Sequence, residues 1–157
     1  MGKIGVSVRF TDMMRIRRAL VQDKLSTVAR ELISRGRHHD NSTLGSPELE
    51  IYHRYFNEYR MYKFGDPRRD EVMNHMAEAI GHHFQYNDHH PEHFDNGIND
   101  MNLIQLMQFT ADIMSWSEQE QVDIFEILPT IRDKCGMSDQ VYQLIQNTIT
   151  EIKRLGR

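Results

Sequence analysis

Cysteine is nearly absent: Cys135 stands alone in a chain of 157 residues. One thiol cannot close a disulfide within the chain or build a Cys-based zinc site. That scarcity suits a reducing cytoplasm, which is the expected location. An excess of positive charge is lacking too. The formal net charge is −4, so no basic footprint points to nucleic acid. No apolar run approaches the roughly 20 residues that cross a bilayer, and no membrane partner is expected. Met1 to Phe10 lacks the long apolar core of a signal peptide. No internal repeat and no low-complexity tract is evident. What remains is a length that fits one domain with its own core. Ten methionines indicate an adaptable core rather than a cofactor box.

Histidine is the residue in surplus. Five of the nine histidines fall within His82–His93. Imidazole is the commonest protein metal ligand and titrates near neutrality. The cluster lies between two helical patterns, where a scaffold can hold it. The plain alternative is a solvated polar loop.

Taken in order, residues 1–10 read as an extended arm, because Ile4, Val6, Val8 and Phe10 alternate with polar or small residues. With no second strand evident, the arm suggests an edge segment or the contact of a homodimer. Thr11 or Asp12 can cap a first helix. Its apolar stripe runs through Met14, Val21, Leu25, Val28 and Leu32 to a stop at Gly36. Arg18 sits inside that stripe, either snorkelling or offering a guanidinium to an anion. His39-Asp40 follows directly, a neutral imidazole beside a hard carboxylate and so a pair able to chelate one cation. Ser46-Pro47-Glu48 reads as a helix start, with Glu48 set against the dipole. Leu49, Tyr52, Phe56 and Tyr59 form the apolar face of that helix.

Asp66-Pro67 restarts a helix with Val72, Met73, Met76 and Ile80 inward. Continuing the spacing turns His83 inward, with His82 beside it. Pro91 biases His90 away from helical geometry, so His89 and His93 are not a simple helical pair. His93 can sit in a short turn begun by Pro91 and Glu92. Asn99 or Asp100 is expected to cap the next helix. Its Asp112 lies among apolar neighbours, on the solvent side or held by a cation or donor. Ser117-Glu118-Gln119-Glu120 reads as a capping box that opens another helix. Pro129 is expected to kink that helix and Gly136 to end it. Ser138 caps the last helix, and these final two look structural. The sum is six or seven helices and no credible sheet, an all-α domain with ligand-type side chains at helix ends.

The order His39-Asp40, Ser46-Pro47-Glu48, His82-His83, Asn87, His89-His90-Pro91-Glu92-His93 and a distant Asp112 resembles the DUF5662 family. These are small proteins of unknown function common in bacterial and phage genomes. The resemblance runs from about Thr11 to the last helix. The family in turn looks like a compact relative of the HD-domain metal-dependent phosphohydrolases. That likeness implies an HD-like helical domain over 11–157 behind the arm at 1–10. It also implies a divalent transition metal (Mn, Fe, Co, Ni or Zn) on His39, Asp40, Asp112 and His83 or His82. In such enzymes the cation makes hydroxide from water and polarises a phosphoryl oxygen.

By the same likeness His89, His90 and His93 would be further metal ligands, proton carriers or phosphate contacts. Arg18 would steady the phosphate. Arg15, Asn87 and Glu92 would complete the substrate contacts. The expected ligand is a nucleotide or another small phosphorylated molecule. Three departures stand out. Arg15 replaces the family's first-helix histidine and cannot ligate a metal. Thr43 replaces a lysine, and Ile113 replaces a tryptophan. The departures keep a second expectation open, a catalytically inactive phage accessory protein that binds a ligand or a host protein. There the Arg15 guanidinium would stand in for the cation against Asp40 or Asp112.

Overall fold

The computed structural model describes residues 9–156. It contains seven α-helices and, among the described residues, no strand. The extended arm expected at 1–10 lies outside the described residues except at its end, where Phe10 is already helical. Contacts divide the chain after Arg37 into two units.

In the first unit, α1 runs Phe10–Arg37 and buries none of its residues. It begins before the expected Thr11 cap and continues through Gly36. Arg15 pairs with Asp12 one turn away in the same helix, at 3.4 Å.

The second unit begins at His38. It holds α2 (Glu48–Tyr59), α3 (Pro67–His75), α4 (Ala77–Tyr86), α5 (Leu103–Glu120), α6 (Ile124–Cys135) and α7 (Asp139–Leu155). Short 3-10 turns at Asn41–Leu44, Pro91–His93 and Gly97–Asp100 link them. Its apolar core lies between α5, α6 and α7. Leu128 and Ile149 are fully buried there, with Ile145, Ile124 and Phe109 around them. Each such side chain contributes roughly 1.5–3 kcal/mol by leaving water. One helix of that core, α5, also meets the histidine-bearing segments through Gln105, Gln108 and Asp112.

Local chemistry explains most helix boundaries. Asp66 accepts the Arg68 amide at 3.0 Å with Pro67 at the first helical position, which starts α3. Ser138 caps α7 through the Val141 amide. Gly136 adopts φ 61°, a left-handed conformation that closes α6 without a Cβ penalty. Pro129 lies inside α6.

Four expected boundaries differ. The long helix expected from Asp66 breaks at Met76 into α3 and α4, although the inward positions Val72, Met76, Ala79 and His83 keep step across the break. Pro47, not Ser46, stands before α2, and no side chain caps it. Asn102, not Asn99 or Asp100, caps α5, because Asn102 and Gln105 exchange side-chain and backbone hydrogen bonds as a capping box. Ser117–Glu120 does not open a helix. Ser117 is buried inside α5, and its hydroxyl donates to the Met114 carbonyl at 2.7 Å. Asp123 caps α6 instead.

Candidate metal centre

Four segments of the second unit meet at one place. The first is the turn after α1. There Asp40 takes the left-handed conformation (φ 55°) that short acidic side chains tolerate better than most. Thr43 fastens the turn, its hydroxyl donating to the Asp40 carbonyl at 2.7 Å. The second is α4, whose buried stripe carries His83. The third is Asn87–His90, a turn closed by the His90 amide donating to the Asn87 carbonyl at 3.2 Å, with His90 itself extended ahead of Pro91 at φ −92°, ψ 131°. Asp88 accepts from Gln105 Nε2 at 2.8 Å, which ties this segment to α5. The fourth is α5 itself, presenting Gln108 and Asp112 one turn apart.

The donors converge. Asp40, His83, His89 and His90 offer ligand atoms that all lie within 4.8 Å of one another. His39, His89 and Asp112 form a second such group. His83 Nε2 and His90 Nε2 are 2.9 Å apart. Asp40 Oδ1 is 3.4 Å from both His83 Nε2 and His89 Nε2. Asp40 Oδ2 turns the other way, 3.4 Å from His39 Nε2, and Asp112 Oδ1 is 3.2 Å from that same nitrogen. Asp40 therefore joins the two groups, one oxygen to each.

Glu48 sets the orientation of His83. Its carboxylate is fully buried. One oxygen takes His82 Nδ1 at 2.6 Å and the other His83 Nδ1 at 2.9 Å. An ionised carboxylate only accepts, so His83 carries its proton on Nδ1 and turns the Nε2 lone pair toward Asp40 and His90. This is the carboxylate–histidine arrangement that fixes a metal-ligating tautomer. Burial opposes ionisation of Glu48. Hydrogen bonds from His82, Ser42 and His83 outweigh it and hold the carboxyl below its usual range. Burial likewise opposes ionisation of Asp40, and His89, His83 and His39 together keep it low. The Asp112 hydrogen bond raises His39, against burial, with the charges of Asp40 and Asp112 adding to it. Burial, with His89 and His83 alongside, pushes His90 down to about 4. His90 is thus neutral at neutral pH and has a lone pair to give.

Among the described residues, two buried side-chain polar atoms make no hydrogen bond, Asp40 Oδ1 and His89 Nε2. Such orphans are rare, and each calls for a missing partner. Here they face each other. A single divalent cation between them would satisfy both, and imidazole with carboxylate suits a first-row transition ion or zinc. The residues fit a metal.

The structure brings together His39, Asp40, His83, His89, His90 and Asp112 from the sequence-derived set. It does not bring His82 into either group. Glu48 holds that ring, which stacks on Tyr86 at 4.3 Å between centroids. His93 is exposed, with its Nδ1 donating to the Phe84 carbonyl at 3.1 Å, and Glu92 is exposed as well. Asn87 acts as a brace. Its amide donates to Ser42 Oγ at 2.7 Å and to the His83 carbonyl at 2.8 Å. Arg15 and Arg18 belong to the first unit. Arg15 takes Asp12 as its partner there. Sequence reasoning missed Glu48, which it took for a helix-dipole acid, and also missed Ser42 and Gln108. A glutamate at a helix start carries no local mark of burial.

A cavity of about 690 Å³ opens from this centre. Asp40, His90 and Asp112 form one wall, and α3, α5 and α6 supply the others. Arg69 closes one side. It is 5% exposed and donates to both oxygens of Glu120, at 2.6 and 2.7 Å, and to the Tyr59 hydroxyl.

The described residues thus form an all-helical scaffold in which part of a histidine–aspartate cluster lines a cavity. A family model described as a family of unknown function, DUF5662, matches residues 9–151, and the chain belongs to that family. No curated protein and no solved structure matches the chain.

Proposed function

We propose that this protein is a metal-dependent phosphohydrolase or phosphodiesterase acting on a nucleotide or another small phosphorylated substrate. The observation that carries the reading is the facing pair of orphaned atoms, Asp40 Oδ1 and His89 Nε2, inside a ring of further donors. Asp40, His83, His89 and His90 would hold a divalent transition metal, with His39 and Asp112 forming the adjoining group. When bound, such an ion supplies Lewis acidity toward water and toward a phosphoryl oxygen.

The chain's own residues do the rest. Glu48 keeps the His83 lone pair aimed inward. Gln108 Nε2 lies 3.3 Å from His39 Nδ1 and steadies that ring against Asp112. Asp112 lines the cavity and can orient an attacking water by accepting its hydrogen bond.

The test is metal content of the purified protein, followed by assay on generic phosphodiesters and nucleoside phosphates with Mn or Ni added. Stoichiometric metal, with turnover lost in His39→Ala and His89→Ala, is expected. Bound metal without turnover would leave a binding protein. Neither metal nor turnover would end the proposal.

A further inference from the structure

The cavity has a second half that the metal-ligating side chains do not use. Phe64 lies on the loop between α2 and α3, and Trp116 lies on α5. Both line the cavity, their rings edge to face at 5.0 Å between centroids and 77° between planes. Phe64 is 42% exposed. Trp116 is partly buried against the core, and both residues of this aromatic corner contribute to the cavity lining. Lys134, exposed on α6, also lines the cavity and makes no ion pair among the described residues. Arg69 is different, because its charge is already taken up by Glu120.

We infer that this cavity seats a nucleoside monophosphate or a close analogue. The base would lie against Phe64 and Trp116, and the phosphate between Lys134 and a cation held at Asp40 and His90. The inference rests on the metal reading above and names the ligand class for it. The volume falls within the roughly 300–1,000 Å³ of small-molecule pockets. Flat apolar rings accept any base by stacking. The phosphate half follows from charge. Asp40, Asp70 and Asp112 all line the cavity, and one free lysine cannot offset three carboxylates. An anionic group would be repelled from an empty centre and drawn to a loaded one.

The chain's single tryptophan is Trp116, so its fluorescence reads the corner directly. The experiment titrates AMP, adenosine and ribose 5-phosphate into the full chain, with and without zinc, a metal that does not itself quench. AMP should quench Trp116 and bind more tightly with zinc. Adenosine should quench with little zinc dependence, and ribose 5-phosphate should not quench. Lys134→Gln, at an exposed position, should weaken AMP by about fivefold and leave adenosine unchanged. Phe64→Ala should weaken both by roughly fivefold or more. Calorimetry on each variant, with zinc binding retained, separates lost contacts from lost structure. If zinc binds and neither AMP nor adenosine changes the fluorescence, this assignment is overturned and the metal reading stands. If AMP binds no better with zinc than without, the phosphate placement is overturned. If both probes quench and no zinc binds, the base seat is supported and the metal reading falls.

Discussion

His89 and Asp40 face each other across 3.4 Å, both atoms buried and neither hydrogen-bonded. Folding has taken an imidazole nitrogen and a carboxylate oxygen out of water and left them at ion-pair distance with no hydrogen bond to either. Each such group costs about 1–3 kcal/mol. Under the proposed reading, a bound cation would recover that cost and draw part of its affinity from it.

His89→Leu tests this. Leucine removes the orphan nitrogen and keeps the volume. The metal-free variant should melt no lower than wild type, because an unsatisfied polar atom has been replaced by an apolar one. Its zinc affinity should fall by about 100-fold or more, beyond the effect of losing a supporting contact. Calorimetric melting and metal titration on the same samples give both readings. A large drop in melting temperature would mean that His89 has a structural partner.

Glu48→Gln asks whether the buried carboxylate sets the His83 tautomer. The amide keeps the shape but offers one donor and one acceptor to two imidazoles that both need an acceptor. One ring must then reverse its tautomer. Metal affinity should fall about 10- to 100-fold, with a stability loss of about 1–3 kcal/mol. Nitrogen-15 imidazole NMR should show the proton of His83 leaving Nδ1. An unchanged tautomer would contradict the assigned role.

The Arg69–Glu120 pair should make stability depend on pH in the acid range. Hydrogen bonds from Arg69 hold Glu120 below its ordinary 4.5. The unfolded chain therefore takes up this proton more readily than the folded one. The pair's contribution is present above pH 4.5 and lost as pH falls through the lowered folded value. Melting curves of wild type and Glu120→Gln should differ at pH 7 and converge toward pH 3. A gap that stays constant across that range would show that Glu120 acts through packing alone.

Cys135 should be slow to react. Burial, with Glu92 nearby, pushes its thiol up to about 11, so little thiolate exists at neutral pH. A disulfide reagent should label it slowly in the folded protein at pH 7.5 and quickly in denaturant. Equal rates would place the thiol in solvent.

The helices were readable from the chain because their signals are local. Asp66-Pro67, Gly136 and Ser138 carry their capping chemistry within four residues. The apolar periodicity of α4 turned His83 inward without any knowledge of neighbours. Where two local signals competed, packing chose. Ser117–Glu120 has the form of a helix start, yet the burial of Met114 and Ser117 against the core carried α5 straight through it.

The amino-acid sequence alone determined an all-helical chain, a family, and a surplus of imidazole and carboxylate ligands near helix ends. The tertiary structure decided which ligands meet: it turned His82 away, drew His89 and His90 in, and placed Glu48 behind His83. It also decided that Trp116, Phe64 and Lys134 share a cavity with Asp40. The reason is one of range. Helix caps and periodicity act over a few residues, whereas His39 and Asp112 are 73 residues apart and reach 3.2 Å only when α5 packs beside the turn after α1.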